Sequence, residues 1–393
     1  MTGRFFLVLS FRMLATLLGW WVYQLTKDPF AIGLIGLSEV IPAVSSALYA
    51  GHVIDNSEKK RLLLICNYAY VLLIGFLAAL AYFADGTQTL SNHEITYFIY
   101  GTIFFTGICR AFIGPLVPSM IPKVVGTEKL PAAITINQAT FLTASVTGHA
   151  LGGFFIHWFD ISGTLFIIVA LMFVASLFFW FINPHHSQNS GEKVKVMESM
   201  KEGLQYIYKT KEIMGALLLD MFAVLFGGAV AMIPVFASDI LKVGSQGFGL
   251  LNAASDIGAM LIIITLAFIP LRRNQGKILL FAVAGFGICI IGFGLSKLYW
   301  LSFFFLVLSG ILDGISVVIR GTIVQLKTPD KIRGRVLSVN SIFIMSSNEL
   351  GQFESGVAAK LLGVVRSVVF GGTMTLLIAL AVSRNAKLRK MQY

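Results

Sequence analysis

Charge is scarce in this sequence. Asp, Glu, Lys and Arg make up 12% of its 393 residues, half the share of about 25% usual in globular domains. With 56% hydrophobic residues and a mean hydropathy of +0.83, so few charges cannot cover the apolar surface of a water-soluble protein. The chain reads as an integral membrane protein. Cysteine is nearly absent too. Cys66, Cys109 and Cys289 all lie in apolar runs and suggest neither a disulfide framework nor a metal site. Also missing are HExxH, GxSxG, a P-loop and paired His or Cys ligands. No enzyme activity, cofactor or metal is therefore expected. His185-His186 lies in a polar loop, as a weak metal site or simply in solvent. The short alternating segments of an outer-membrane barrel are lacking as well.

What is present is a series of long apolar runs, rich in Phe and Gly, that read as helices. A spanning helix takes about 20 residues, so the chain has room for about a dozen and little left for a soluble catalytic domain. The runs divide into twelve spans, roughly 5–26, 31–53, 62–84, 94–115, 132–157, 163–183, 213–236, 247–270, 278–296, 299–320, 336–362 and 367–383. The first follows Arg4, is too long for a signal peptide and is followed by no small-x-small cleavage site. It reads as an uncleaved helix. The predicted fold class is an all-α membrane protein, twelve transmembrane helices in two pseudo-symmetric six-helix bundles. Residues 1–183 form the first bundle and 213–393 the second, with a short basic tail. Between them, 184–212 is a cytoplasmic linker. From about Lys195 it turns amphipathic, with Val196, Met200, Leu204 and Ile207 on one face and Lys and Glu on the other.

The net charge of +11 suggests nucleic acid only until the basic residues are placed. Most of the 30 Lys and Arg fall in alternate connections, such as Lys59-Lys60-Arg61, Arg272-Arg273 and Arg333 to Arg335. Lys27, Lys242, Lys297, Lys360 and Arg366 fall in the others. The positive-inside rule then puts both termini in the cytoplasm. A dispersed basic rim of this kind is no nucleic-acid surface.

The two halves align with each other. Gly33-Leu34 matches Gly249-Leu250, and Arg61-Leu62-Leu63-Leu64 matches Lys277-Ile278-Leu279-Leu280. Further on, Thr106-Gly107 matches Ser309-Gly310, Asn137 matches Asn340, and Gly148 and Gly153 match Gly351 and Gly356. Polar and Gly positions agree, not only Leu and Phe. Six plus six spans in the same order make a parallel repeat, a build in which transporters bind substrate near the bilayer midplane.

Charge inside the spans carries the mechanistic information. A charged group at the bilayer centre costs at least about 2.5–3.5 kcal/mol, so each needs a partner or a wet cavity. Spans 3, 6, 9 and 12 carry none and read as peripheral helices facing lipid. Span 10 places Ser309, Asp313, Ser316 and Arg320 on one stripe, and span 1 does the same with Arg12, Thr16, Gly19 and Tyr23. In span 4, Thr102, Thr106, Cys109 and Arg110 share a face. These stripes describe the walls of a cavity. Arg12, Arg110, Asp220, Asp313 and Arg320 fall in the cytoplasmic third, as static pairs or as a gate. Arg110 and Asp313 occupy equivalent repeat positions and are placed opposite each other across the pseudo-two-fold. Glu39, Asp256, Glu349 and Glu354 lie at mid-depth or further out, where no basic residue is expected. They are the candidates for a proton or cation site. Asn137, Asn340 and Gln352 complete the polar cavity set.

The loop Gly51-His-Val-Ile-Asp55-Asn-Ser-Glu-Lys59-Lys60-Arg61 resembles the signature loop of the major facilitator superfamily, G-x-[LV]-x-D-x-x-G-[RK]-[RK]-[RK], with Glu58 in place of the usual Gly. In that motif Gly51 allows close packing, Asp55 caps a helix of the other half, and Lys59, Lys60 and Arg61 stay at the headgroups. The second-half copy, Arg272 to Lys277, has lost its Asp. Trp21 to Thr26, Leu130-Pro131-x-Ala133, Pro234 to Ala237, Arg333-Gly-Arg335-Val336 and Ser347 to Gly356 together resemble the branch that includes the enterobactin exporter and related multidrug exporters. The resemblance runs along nearly the whole chain. It implies a monomeric secondary transporter of the bacterial inner membrane, moving amphipathic small molecules of drug or siderophore type outward as protons move in. Uptake, or lipid or metabolite transport, remains open in the same fold. The chain begins closer to span 1 than is usual in that branch, which implies missing leading residues. In span 5 the exporter pattern Gly-Pro-x-x-Gly-Gly reads Gly148-His149-Ala150-Leu151-Gly152-Gly153. His149, whose repeat partner is Gln352, either joins a proton pathway or bonds across a helix interface. Loss of the Pro removes the branch's marker for antiport.

Overall fold

A computed structural model describes residues 1–87, 90–125, 129–182, 196–269, 271 and 274–384. Among them there is no strand. The helices are α1 (Thr2–Thr26), α2 (Pro29–Asn56), α3 (Lys59–Thr87), α4 (Asn92–Val125), α5 (Leu130–Trp180), α6 (Val196–Lys209), α7 (Lys211–Phe226), α8 (Ile233–Val235), α9 (Gly244–Phe268), α10 (Gln275–Leu295), α11 (Tyr299–Lys327), α12 (Asp330–Leu362) and α13 (Val364–Ser383). Ten stretches are long and apolar enough to cross a membrane. One of them, 132–180 within α5, bends at Asp160 (φ 55°, ψ −171°) and supplies two crossings. The remaining crossing is α12, whose 33 residues include Asn340, Glu349, Gln352 and Glu354 and are less apolar for that reason.

One crossing is not continuous. The sequence predicts a single helix over 213–236, but α7 stops at Phe226 and the chain goes on as a 3-10 turn (Ala229–Met232), α8 and a π turn (Phe236–Ile240). Two adjacent glycines favour the break. A side chain at Gly228 would lie 2.8 Å from the Gly351 carbonyl of α12. Pro234 then has no N–H for a regular helix.

The chain forms two compact units. Unit 1 comprises Met1–Lys27, Ser38–Lys193 and Gly244–Ala253; unit 2 comprises Asp28–Leu37, Val194–Val243 and Ala254–Tyr393. Each unit is thus one sequence half plus a short helix start from the other. Glycine makes both exchanges possible. In unit 1, a Cβ at Gly153 would lie 2.6 Å from the Cα of Gly249. In unit 2, a Cβ at Gly33 would lie 3.0 Å from the Cα of Gly356. Gly33 matches Gly249 and Gly153 matches Gly356, so the two close approaches are the same contact made twice. Gly148 and Gly351 repeat the pattern. The first packs on Leu9 and Arg12 of α1, the second on Val224 and Leu225 of α7.

In unit 2 the core gathers Ile207 of α6, Ile213 and Leu217 of α7, Leu279 and Val283 of α10, Ile319 and Ile323 of α11, and Val336 and Val339 of α12. The amphipathic helix is therefore seated on the bundle. Its buried edge differs from the predicted one. Leu204 is 44% exposed, while Gly203 is buried and a Cβ there would lie 2.9 Å from the Arg335 carbonyl. The chain needs a small residue facing α12, and that rotates Leu204 outward. Val196 and the stretch 184–195 lie outside the described side chains. Spans 3, 6, 9 and 12 each leave large apolar side chains uncovered, among them Leu72, Phe173, Phe281 and Leu377, as lipid contact requires.

Candidate functional site

Glu39 has a basic partner after all: Arg110 of α4 forms an ion pair with it. The sequence pattern places no basic residue at the depth of Glu39, and this ion pair corrects that expectation. Helix packing explains the difference. Gly107 lets α4 approach α2 so closely that a Cβ there would lie 2.7 Å from the Glu39 carbonyl and 2.8 Å from Pro42. One turn later Arg110 falls beside Glu39. The pair belongs to unit 1, and Asp313 belongs to unit 2.

The remaining polar groups of unit 1 join α1 to α5. Arg4 donates to the Asn137 side-chain oxygen. The Arg12 guanidinium lies 5.4 Å from the centre of the Phe141 ring, a cation–π distance. Thr16 Oγ1 and His149 Nδ1 are 2.7 Å apart, so His149 makes a bond across a helix interface. Tyr23 is buried, 2% exposed, with the Lys27 ammonium 5.1 Å from its ring centre. The sequence pattern does not single out Arg4 and Thr16 as site residues. Their signal was position alone, Arg4 as a flanking charge and Thr16 on the Arg12 stripe.

Unit 2 holds the densest ionic cluster among the described residues. Asp220 of α7 and Arg320 of α11 pair with side chains 8% and 7% exposed. Asp313 and Asp220 lie close enough to act on each other, as do Asp313 and Asp256 of α9. On α12, Gln352 Nε2 donates to Glu349 Oε2 over 3.2 Å, and Glu349 is buried. Glu354 and Asn340 are half-buried on the same helix. At its base, Arg335 pairs with Glu202 of α6, and the Tyr206 hydroxyl donates to the Lys327 carbonyl. At its far end Lys360 lies 3.7 Å from Asp28 and 4.7 Å from the centre of the Phe30 ring.

In the signature loop, Gly51 lies half-buried in the last turns of α2, Lys59 and Lys60 open α3 half-buried, and Arg61 is exposed. The Asp55 side chain lies outside the described residues, as do Arg272, Arg273, His185 and His186. A cavity of about 380 Å³ in unit 1 is lined by Trp21, Leu25, Ala81, Ala84, Leu90, Asn92, Ile95 and Ile161. None of the intramembrane charges borders it. The Asn92 amide is itself turned to the Leu25 carbonyl.

This arrangement, a repeated six-helix half with ionic groups buried inside the spans, is the architecture of a carrier. Residues 11–393 match the family model described as transmembrane secretion effector. The chain belongs to this family of major facilitator transporters. It is 22% identical over 358 residues to the MFS-type transporter YfmI of Bacillus subtilis, spanning 87% of this chain and 82% of that one. It is 22% identical over 351 residues to the enterobactin exporter EntS of Citrobacter koseri, spanning 85% of this chain and 78% of the other. Two solved structures share the fold: the nucleoside transporter NupG (TM-score 0.66, 16% identity, 98% of this chain and 99% of that one), and a D-xylose–proton symporter (TM-score 0.71, 12% identity, 99% and 100%). The protein is a multi-pass membrane transporter of small molecules and not an enzyme.

Proposed function

We propose that this major facilitator protein exports amphipathic small molecules, driven by protons moving inward. The observation that carries this reading is the set of ionisable side chains within the spans, above all the buried Asp220–Arg320 pair of unit 2 with the half-buried Asp313 beside it. Buried ionic groups are costly to keep in a membrane and are retained where they serve a pathway or a switch. Coupling needs a carboxylate whose proton affinity differs between the two access states. The buried Glu349 and the half-buried Glu354 on α12, and the half-buried Asp313 on α11, lie within the spans where that role belongs. The outward direction is supported by the similarity to EntS, named as an enterobactin exporter, and is opposed by the loss of the span 5 Pro at His149. The protein works in this reading in the bacterial inner membrane, as a monomer with both termini in the cytoplasm.

The substrate class follows from charge and ring content. Six intramembrane carboxylates against three Arg favour cations, and 33 Phe suit flat apolar ligands. Energised inside-out vesicles should accumulate ethidium, and a protonophore should abolish the accumulation. Accumulation that survives the protonophore refutes proton coupling. Uptake in the opposite direction refutes export.

A further inference from the structure

The ionic cluster of unit 2 does not balance. Arg320 is committed to Asp220, and both side chains are over nine-tenths buried. Asp313 lies two helical turns before Arg320 on α11 and has no ion pair among the described residues. Among the described residues, the charged groups that act on it are Arg320 of its own helix, Asp256 of α9 and Asp220 of α7. From α10, Ala282, Val283 and Phe286, none of them ionisable, border the same small cavity as Asp313. Of the described basic side chains at the start of α12, Arg333 donates to the Thr328 carbonyl and Arg335 pairs with Glu202. One buried guanidinium therefore faces both the buried Asp220 carboxylate and the half-buried Asp313 carboxylate, and an uncompensated charge in such a place is disfavoured.

The internal repeat isolates what is unusual. Gly107 packs α4 on the Glu39 carbonyl of α2, and Gly310 packs α11 on the Ser255 carbonyl of α9. The offset that matches Gly33 to Gly249 also matches Glu39 to Ser255, and the one that matches Gly107 to Gly310 matches Arg110 to Asp313. Unit 1 fills this joint with the Glu39–Arg110 ion pair. Unit 2 fills the same joint with a serine and a carboxylate. A second feature points to a ligand beside Asp313, on the side of α11 that faces α7 and α10. Asp220, Asp313 and Ser316 border a cavity of about 10 Å³, roughly the least that admits one water. Ser316 is 2% exposed, and its hydroxyl has no hydrogen-bond partner among the described residues.

We propose that Asp313 is a proton-binding site of unit 2, loaded and unloaded through one water held between Asp313, Asp220 and Ser316. A proton leaving Asp313 passes to that water as the carboxyl O–H bond breaks and a water O–H bond forms. The carboxylate left behind is stabilised by the Ser316 hydroxyl and by Arg320. The cavity has no room for a hydrated metal cation or an organic substrate. This names the coupling group for the proton-driven reading above and rests on it for its use in transport.

The test is infrared difference spectroscopy of the full chain in lipid, between acid and alkaline buffers. The expected result is one protonated carboxyl band that Asp313→Asn removes, that Asp313→Glu retains at a shifted frequency, and whose pH midpoint Ser316→Ala displaces. A set of bands unchanged in Asp313→Asn overturns the proposal. If that variant does not fold, an unshifted band in Asp313→Glu together with an unmoved midpoint in Ser316→Ala overturns it equally. A midpoint that moves when sodium replaces choline overturns it in favour of a metal cation. Ethidium transport is measured separately. An Asp313 band with the expected behaviour in a protein that moves no ethidium supports the proton site and refutes the efflux reading alone.

Discussion

Asp220 and Arg320 are separated by a hundred residues, yet each is the other's main means of staying charged inside the bundle. Attraction inside a protein repays the loss of water only while both partners are present. Arg320→Met should therefore destabilise the protein by about 3–5 kcal/mol, because it strands Asp220. The double variant Arg320→Met with Asp220→Leu should recover much of that loss. Thermal unfolding in detergent checks both, and a double variant no more stable than the single one would contradict the argument. The Glu39–Arg110 pair should respond less, since the Arg110 side chain is 39% exposed and exposed pairs contribute about 0–1 kcal/mol. The sequence made these residues visible as charges out of place. It did not give their partners, because pairing depends on the rotation of each helix about its axis. Gly107 sets that rotation for α4.

At the scale of elements, the glycine contacts control which helices touch. A Cβ at Gly153 meets the Gly249 backbone at 2.6 Å, one at Gly33 meets Gly356 at 3.0 Å, and backbone cannot step aside as a flexible side chain can. Gly153→Ala should thus destabilise unit 1 by about 1–3 kcal/mol, the usual range for overpacking, and by more than Gly33→Ala destabilises unit 2. Melting temperatures of the two variants decide this, and equal values would show that the helices shift freely. The matching of Gly148 and Gly153 with Gly351 and Gly356 was legible as a pattern in the sequence. The broken crossing after Phe226 was not. Its hydropathy is continuous, and the break arises where Gly228 meets Gly351 of a helix more than a hundred residues away. The rotation of α6 was hidden in the same way. Leu204 fits an apolar stripe by spacing, but the approach to Arg335 requires Gly203 on the inner side.

At the scale of the whole molecule, charge sorts by location. In the proposed orientation the basic connections lie in the cytoplasm. In a cysteine-free background, Lys297→Cys should react with an impermeant maleimide added to intact cells. Lys209→Cys should react only after the membrane is opened. The reverse pattern would invert the topology and with it the direction of transport inferred from inside-out vesicles.

The sequence by itself determined the all-helical membrane fold, the twelve crossings, the two-fold repeat and the family. Each of these is written in signals that run along the chain, such as hydropathy over about 20 residues, the period of polar stripes, and motifs matched in order. Only the tertiary structure decided that Glu39 belongs to Arg110, that His149 bonds to Thr16, and that Asp313 shares a small cavity with Asp220 and Ser316. Those facts depend on where helices distant in sequence come within a few ångströms. A glycine at the contact sets that approach, and neither composition nor periodicity records which helix it will meet.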